Sequence, residues 1–166
     1  MPAPLLTVDE IMAILPATVP RVAELLDGLT EAQLATAPEP GEWSATILFA
    51  HLRAAQDVLG ANIRRIIDED RPAWKRLSPR AWQRTTGYDE WAFGDAFEAF
   101  SNSRAQLLAV LAPLGPDAWE RVAVVTVAPN RSIEQTARFF GDWLARHERE
   151  HLTQLERTIE RVSVRA

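Results

Sequence analysis

Four stretches of apolar residues recur at helical spacing, and segments rich in proline and glycine cut the chain between them; this punctuation constrains the fold more than any other feature. In the first stretch, Thr7 and Glu10 form a capping-box pattern ahead of Val8, Ile11, Met12, Leu15, Val19, Val22, Leu25, Leu26 and Leu29. Pro16 and Pro20 fall inside it, and each lacks an amide donor and crowds the turn before it. They predict a kink, or a restart capped by Thr18, and Gly28 marks the end. Thr30 to Thr36 reads as one short helical turn, and Pro38 to Ser44 as a tight connection. Ser44 caps the second helix, whose buried face is Ile47, Leu48, His51, Leu52, Ala55, Leu59, Ile63 and Ile66, running to about Asp68.

A third helix is predicted from about Trp91 to Leu111, stopped by Pro113, Gly115 and Pro116. Ser132 with Gln135 repeats the capping-box pattern and opens a fourth, through Phe139, Phe140, Trp143, Leu144, His147, His151, Leu152, Leu155 and Ile159 to near Val162. Between helices two and three, Pro72, Pro79 and Gly87 interrupt every candidate element while Trp74, Leu77, Trp82 and Tyr88 call for burial. An ordered crossover loop draped over the bundle end is expected there. Arg121 to Val127 is the one β-branched run, and reads as an extended connector too isolated to make a sheet. The expected architecture is therefore all-α: an antiparallel four-helix bundle with a long loop between helices two and three, one domain over residues 1–166.

The chain has no cysteine, which excludes disulfides, thiolate ligands and a cysteine nucleophile. Net charge is -5, and Lys75 is the single lysine among 18 basic residues scattered without a long basic run, so no nucleic-acid footprint is present. No apolar run approaches the roughly 20 residues of a membrane span, and Met1 to Leu6 carry no basic leader pattern; a cytoplasmic protein is expected.

Only three histidines occur, His51, His147 and His151. Residues four apart on a helix share a face, so His147 and His151 can ligate one ion together, and His51, on the apolar stripe of the second helix, supplies a third imidazole. Three neutral imidazoles leave coordination positions for water or substrate, as catalytic sites do. The competing reading makes each a core histidine satisfied by a hydrogen bond. His147-Glu148-Arg149-Glu150-His151 also spells H-E-x-x-H, the zinc-peptidase helix, but no further histidine follows at the extended motif's spacing and no substrate-binding sheet is expected; Glu148 and Glu150 read as solvent-facing charges. No catalytic residue is assigned.

Pro40 to Ser44 opening a helix that carries His51-Leu52, then a loop-rich middle, then a closing helix with His147 and His151, resembles the DinB-like metal-binding bundle superfamily over nearly the whole chain. The resemblance implies that the three histidines bind a divalent ion, commonly zinc or nickel, and that the protein is a homodimer. Family members often carry a glutamate shortly after the first histidine; here Gln56 and Asp57 stand there, which leaves that glutamate's acid-base role without a carrier. Relatives include transferases and isomerases that use bacillithiol, mycothiol or a similar thiol. A thiol S-transferase taking a low-molecular-weight thiol and a small-molecule substrate is the leading expectation. Two alternatives stand beside it: a metal-dependent hydrolase in which Glu148 or Asp57 shuttles the proton, and a non-catalytic metal-binding module acting through a dimer surface. Arg53, Arg146 and Arg149 are noted as arginines able to receive a carboxylate.

Overall fold

A computed structural model describes residues 3–164; residues 1–2 and 165–166, the ends of the expected domain, lie outside it. Helix α1 (Val8–Leu26) starts on the Thr7–Glu10 capping box and runs unbroken through both prolines, which lie on its exposed side. Thr18 is therefore not a cap: it is buried in mid-helix. Helix α2 (Glu31–Ala35) is the expected short turn, boxed by Thr30 and Gln33. Ser44 accepts a hydrogen bond from the amide of Ile47 and caps α3 (Ala45–Asp68).

The segment expected as a loop between the second and third long helices is largely ordered secondary structure. It holds strand β1 (Ala73–Lys75), helix α4 (Pro79–Thr86), capped by Ser78 and closed by Gly87 at φ +70°, and a 3-10 turn at Tyr88–Glu90. Prolines that interrupt a helical pattern here begin elements: Pro79 takes the first helical position, where no amide donor is needed. Helix α5 (Phe93–Leu111) and the single-turn α6 (Pro116–Trp119) follow.

The β-branched run does form a sheet, so the fold is mostly helical rather than all-α. Strand β2 (Val122–Ala128) pairs in parallel with β1, Trp74 opposite Val125, and antiparallel with β3 (Arg131–Thr136), Val125 opposite Ile133. The partner segments, Ala-Trp-Lys and Arg-Ser-Ile-Glu-Gln-Thr, have little strand signature of their own. Their conformation comes from pairing with β2, and a strand's context outweighs its propensity. Ser132 and Gln135 consequently lie in β3, and the Ser132 hydroxyl meets that of Thr126 at 3.1 Å instead of capping a helix. Helix α7 (Ala137–Ser163) is capped by Thr136.

Two apolar clusters make the core. One gathers Ile11 and Leu15 of α1, Leu59 and Ile63 of α3, Leu107 and Leu111 of α5, and Phe140 and Leu144 of α7. The other gathers Val22, Leu48, Leu52, Phe93, Phe100 and Leu155. The order of these residues along each helix fixes its direction: α1 and α7 run from the first cluster to the second, α3 and α5 the opposite way. Since α1 and α3 each pack on α5 and α7, the bundle is antiparallel at α3–α7 and α1–α5 but parallel at α3–α5 and α1–α7. That corrects the simple antiparallel expectation and explains the long crossover: α3, about 36 Å long at 1.5 Å per residue, ends at the far side, and the chain must return before α5 begins. Among the described residues, no helix is long and apolar enough to cross a membrane.

Candidate metal centre

Helix α7 is buried along two adjacent stripes. Phe140, Leu144, Leu155 and Ile159 occupy the stripe that faces the bundle axis. His147 and His151 lie beside it, toward α3, where His51 stands one turn after Leu48 and next to Leu52. The three histidines come together as expected: one ring nitrogen from each lies within 4.8 Å of the others, His51 is buried and the other two are half-buried. His51 Nε2 and His147 Nε2 face each other at 2.9 Å, and His151 stacks edge-on against both rings, with centroids 4.8 and 4.4 Å away.

Hydrogen bonding places the proton on two of the three rings. The amide nitrogen of Gln83, a buried residue of α4, donates to Asp89 Oδ1 at 2.7 Å and to the Ile47 carbonyl, so its oxygen is the atom that faces His51 Nδ1 at 3.0 Å. Arg80 donates to the same oxygen. His51 therefore carries its proton on Nδ1 and presents a bare lone pair on Nε2. His151 Nδ1 lies 3.0 Å from Gln154 Oε1, the same arrangement. His147 has no such support: its Nδ1 is buried without a partner. Whichever of its nitrogens holds the proton, Nδ1 has no partner among the described residues, and a proton there leaves the lone pairs of the two Nε2 atoms opposed at 2.9 Å. A divalent cation shared by the three rings takes up the opposed Nε2 lone pairs, so the donor set fits a metal ion; Nδ1 of His147 then carries its proton, with no acceptor among the described residues.

Burial above all, with repulsion from His151 and His51, holds the His147 imidazolium down to a pKa of about 3; burial likewise lowers that of His51. Both rings are thus neutral at physiological pH, the form that ligates. Trp43 packs its indole 5.4 Å from the His51 ring, and Arg80 lies over Trp43 at 4.5 Å. Two cavities flank the cluster. One, of about 500 Å³, opens onto His151 between the Gly41–Trp43 segment and the next turns of α7. The other, of about 390 Å³, is lined by His147, Arg76, Phe139, Trp143 and Glu150.

The carboxylates considered for proton transfer lie elsewhere. Glu148 is not solvent-facing: it is fully buried on the axial stripe, ion-paired to Arg104 and accepting from Thr18 Oγ1 at 2.6 Å. The H-E-x-x-H reading fails on that contact, because the glutamate is held by the core and not aimed at the histidines' open side. Gln56 joins the same network, accepting from Arg104 Nε at 2.6 Å and donating to the Phe100 carbonyl. Asp57 accepts from Tyr88 Oη at 2.5 Å and Trp82 Nε1 at 3.1 Å, clamping the crossover onto α3; burial, then this bond, raises the tyrosine to about 12. Arg53 lies over the rings of both Tyr88 and Trp91, Arg146 is tied to Asp142 and the Pro4 carbonyl, and Arg149 lies away from the histidines beside Glu150 and Thr153.

Sequence reasoning missed Gln83 and Arg104. Arg104 had a signal, since it sits three residues before Leu107 and four after Phe100 on an otherwise apolar stripe; Gln83 had none, lying among interrupted elements.

A family model for the DinB superfamily matches residues 15–155 of the chain. Among solved structures, YfiT from Bacillus subtilis, described as a probable metal-dependent hydrolase with an unusual four-helix bundle topology, superposes with a TM-score of 0.71 at 17% identity, over 95% of this chain and 91% of that one. A mycothiol-dependent maleylpyruvate isomerase superposes with a TM-score of 0.66 at 17% identity, over 90% of this chain but 61% of the isomerase. At such identities the likeness is one of fold. No curated protein sequence matches.

Proposed function

The chain belongs to the DinB superfamily, and on that premise we propose that it is a divalent-metal-dependent enzyme, a small-thiol S-transferase, with His51, His147 and His151 as ligands to zinc or nickel. The observation that carries the proposal is the cluster itself: three ring nitrogens within 4.8 Å and no acidic ligand among them. An ion bound there supplies Lewis acidity and favours the thiolate form of a coordinated thiol. The chain has no cysteine, so the sulfur comes from a separate small molecule.

What the protein's own residues do is orient and exclude. Gln83 and Gln154 fix two ring tautomers, Trp43 covers the His51 ring, and the flanking cavities admit a substrate from either side of the trio. Hydrolysis is the weaker reading because Glu148 and Asp57 are both occupied by strong hydrogen bonds. It retains one carboxylate, Glu150, exposed at the cavity beside His147. The test is titration of cobalt-substituted protein with small thiols, followed by assay of thiol loss onto an electrophilic substrate. A sulfur-to-cobalt absorption band and thiol-dependent turnover, both lost in His51→Ala, are expected. Thiol-independent cleavage of ester or amide probes, without such a band, would favour the hydrolase.

A further inference from the structure

The cavity of about 500 Å³ beside His151 carries polar groups that the fold leaves unused. On α7, the turns that follow His151 bring Gln154, Arg157, Thr158 and Arg161 to one wall, and Glu42 and Trp43 form the other. Arg161 is spent: it pairs with Glu42 at 2.6 Å and lies 3.5 Å from Glu39. Arg157 has no carboxylate partner among the described residues, although Glu156 beside it is taken by Arg21. Thr158 is 6% exposed and lines the cavity, yet its hydroxyl makes no hydrogen bond among those residues. Gln154 gives its oxygen to His151, so its amide nitrogen remains to donate.

We infer that this cavity is a carboxylate-binding subsite, in which Arg157, the Thr158 hydroxyl and the Gln154 amide receive the acidic end of a small molecule whose other end reaches the three histidines. A guanidinium and two neutral donors match the lone pairs of a carboxylate, and the flat indole of Trp43 suits the apolar stem between the ends. His151 and Arg157 are six residues apart on one helix, a rise of about 9 Å, which sets the span as that of a short linear molecule. The arginines singled out in the sequence are engaged or distant; Arg157 lines the cavity beside His151 and pairs with no carboxylate among the described residues. The acid belongs either to the thiol or to its co-substrate, and the inference rests on the proposed thiol chemistry only in the first case.

Two probes separate these cases. Cobalt-substituted protein is titrated with 6-mercaptohexanoate and with 6-mercaptohexanol, whose chains are alike except for the charge. Protein as purified is titrated with hexanoate and followed by the NMR signals of the Arg157 side chain and the Trp43 indole. The mercapto-acid should bind about tenfold more tightly than the alcohol, as expected for one charge-assisted contact. Arg157→Gln, an exposed position, should erase that preference without lowering cobalt content. Hexanoate should shift both NMR signals.

Equal affinity for the two thiols, together with unmoved signals, overturns the subsite, as does a carboxylate preference that survives in Arg157→Gln. If neither thiol gives a sulfur-to-cobalt band while hexanoate still moves Arg157 and Trp43, the subsite stands as one for a carboxylate co-substrate and the thiol reading falls. If thiols ligate with no charge preference and hexanoate moves nothing, the thiol reading stands and the subsite falls.

Discussion

Two clusters of polar side chains sit inside this bundle, and they differ in whether the protein alone can satisfy them. The first is a layer between the two apolar clusters to which every long helix contributes one residue: Thr18, Gln56, Arg104 and Glu148. Arg104 donates to both oxygens of Glu148, to Gln56 and to the Leu15 carbonyl; Glu148 also receives Thr18, and Gln56 closes onto the Phe100 carbonyl. The second is the histidine trio, where two Nε2 atoms oppose each other and His147 Nδ1 has nothing to bond. A closed network inside a low-dielectric core holds helices in register and leaves no valence for a ligand. An open network at the edge of the core keeps lone pairs that a ligand can take up. Two motifs one residue apart, His147 and Glu148, thus serve opposite ends because the helix turns about 100° between them.

The contrast can be broken most forcefully at the closed cluster. Arg104→Met strands a buried carboxylate, and the loss expected is about 3–5 kcal/mol in urea unfolding. Adding Glu148→Leu removes the stranded charge and should restore most of it. A double variant as unstable as the single one would mean that the layer is not held together by that pair.

The open cluster should respond to metal instead. Zinc at about a hundred times its dissociation constant should stabilise the wild type by about 2.7 kcal/mol and leave His147→Ala unmoved. Arg104→Met should retain the full zinc increment, since its damage lies in the other cluster. Gln83→Leu sharpens the comparison further: without the acceptor that fixes the His51 tautomer, zinc affinity should fall by about 10–100-fold while metal-free stability changes little by comparison. Unchanged affinity in a competition titration would show that Gln83 packs rather than orients.

The finest distinction is in pH. The His147 value is lowered from 6.5 to about 3 in the folded chain, so the unfolded chain binds the proton more readily between those values. That contribution to metal-free stability is present above about pH 6.5 and drains away as pH falls toward 3. The urea midpoint of the wild type should therefore fall more steeply over this window than that of His147→Gln. Parallel curves would contradict the neutral, buried imidazole.

Legibility in the sequence followed the range of the physics involved. Local periodicity located the four long helices and put His51, His147 and His151 on inward faces, because helical spacing and caps such as Thr7 and Ser44 act within a few residues. Pairing between distant segments was invisible: nothing in Ala73–Lys75 announces a strand, and β2 looked isolated because its partners lie in segments of weak propensity. Direction was equally hidden, as an apolar stripe names a buried face without naming the neighbour it meets. Glu148 was misplaced for a related reason. In the sequence the histidines alone mark the inward face of α7, whereas that helix buries two faces, one toward α3 and one toward the axis.

The central claim is that the open cluster is a metal site, and elemental analysis of tag-free protein tests it most directly, beside His51→Ala and His147→Ala purified the same way. About one divalent ion per chain in the wild type, lost in both variants, is the predicted result. A wild type that holds no ion and takes up neither zinc nor nickel would contradict it, and would return the three histidines to the core.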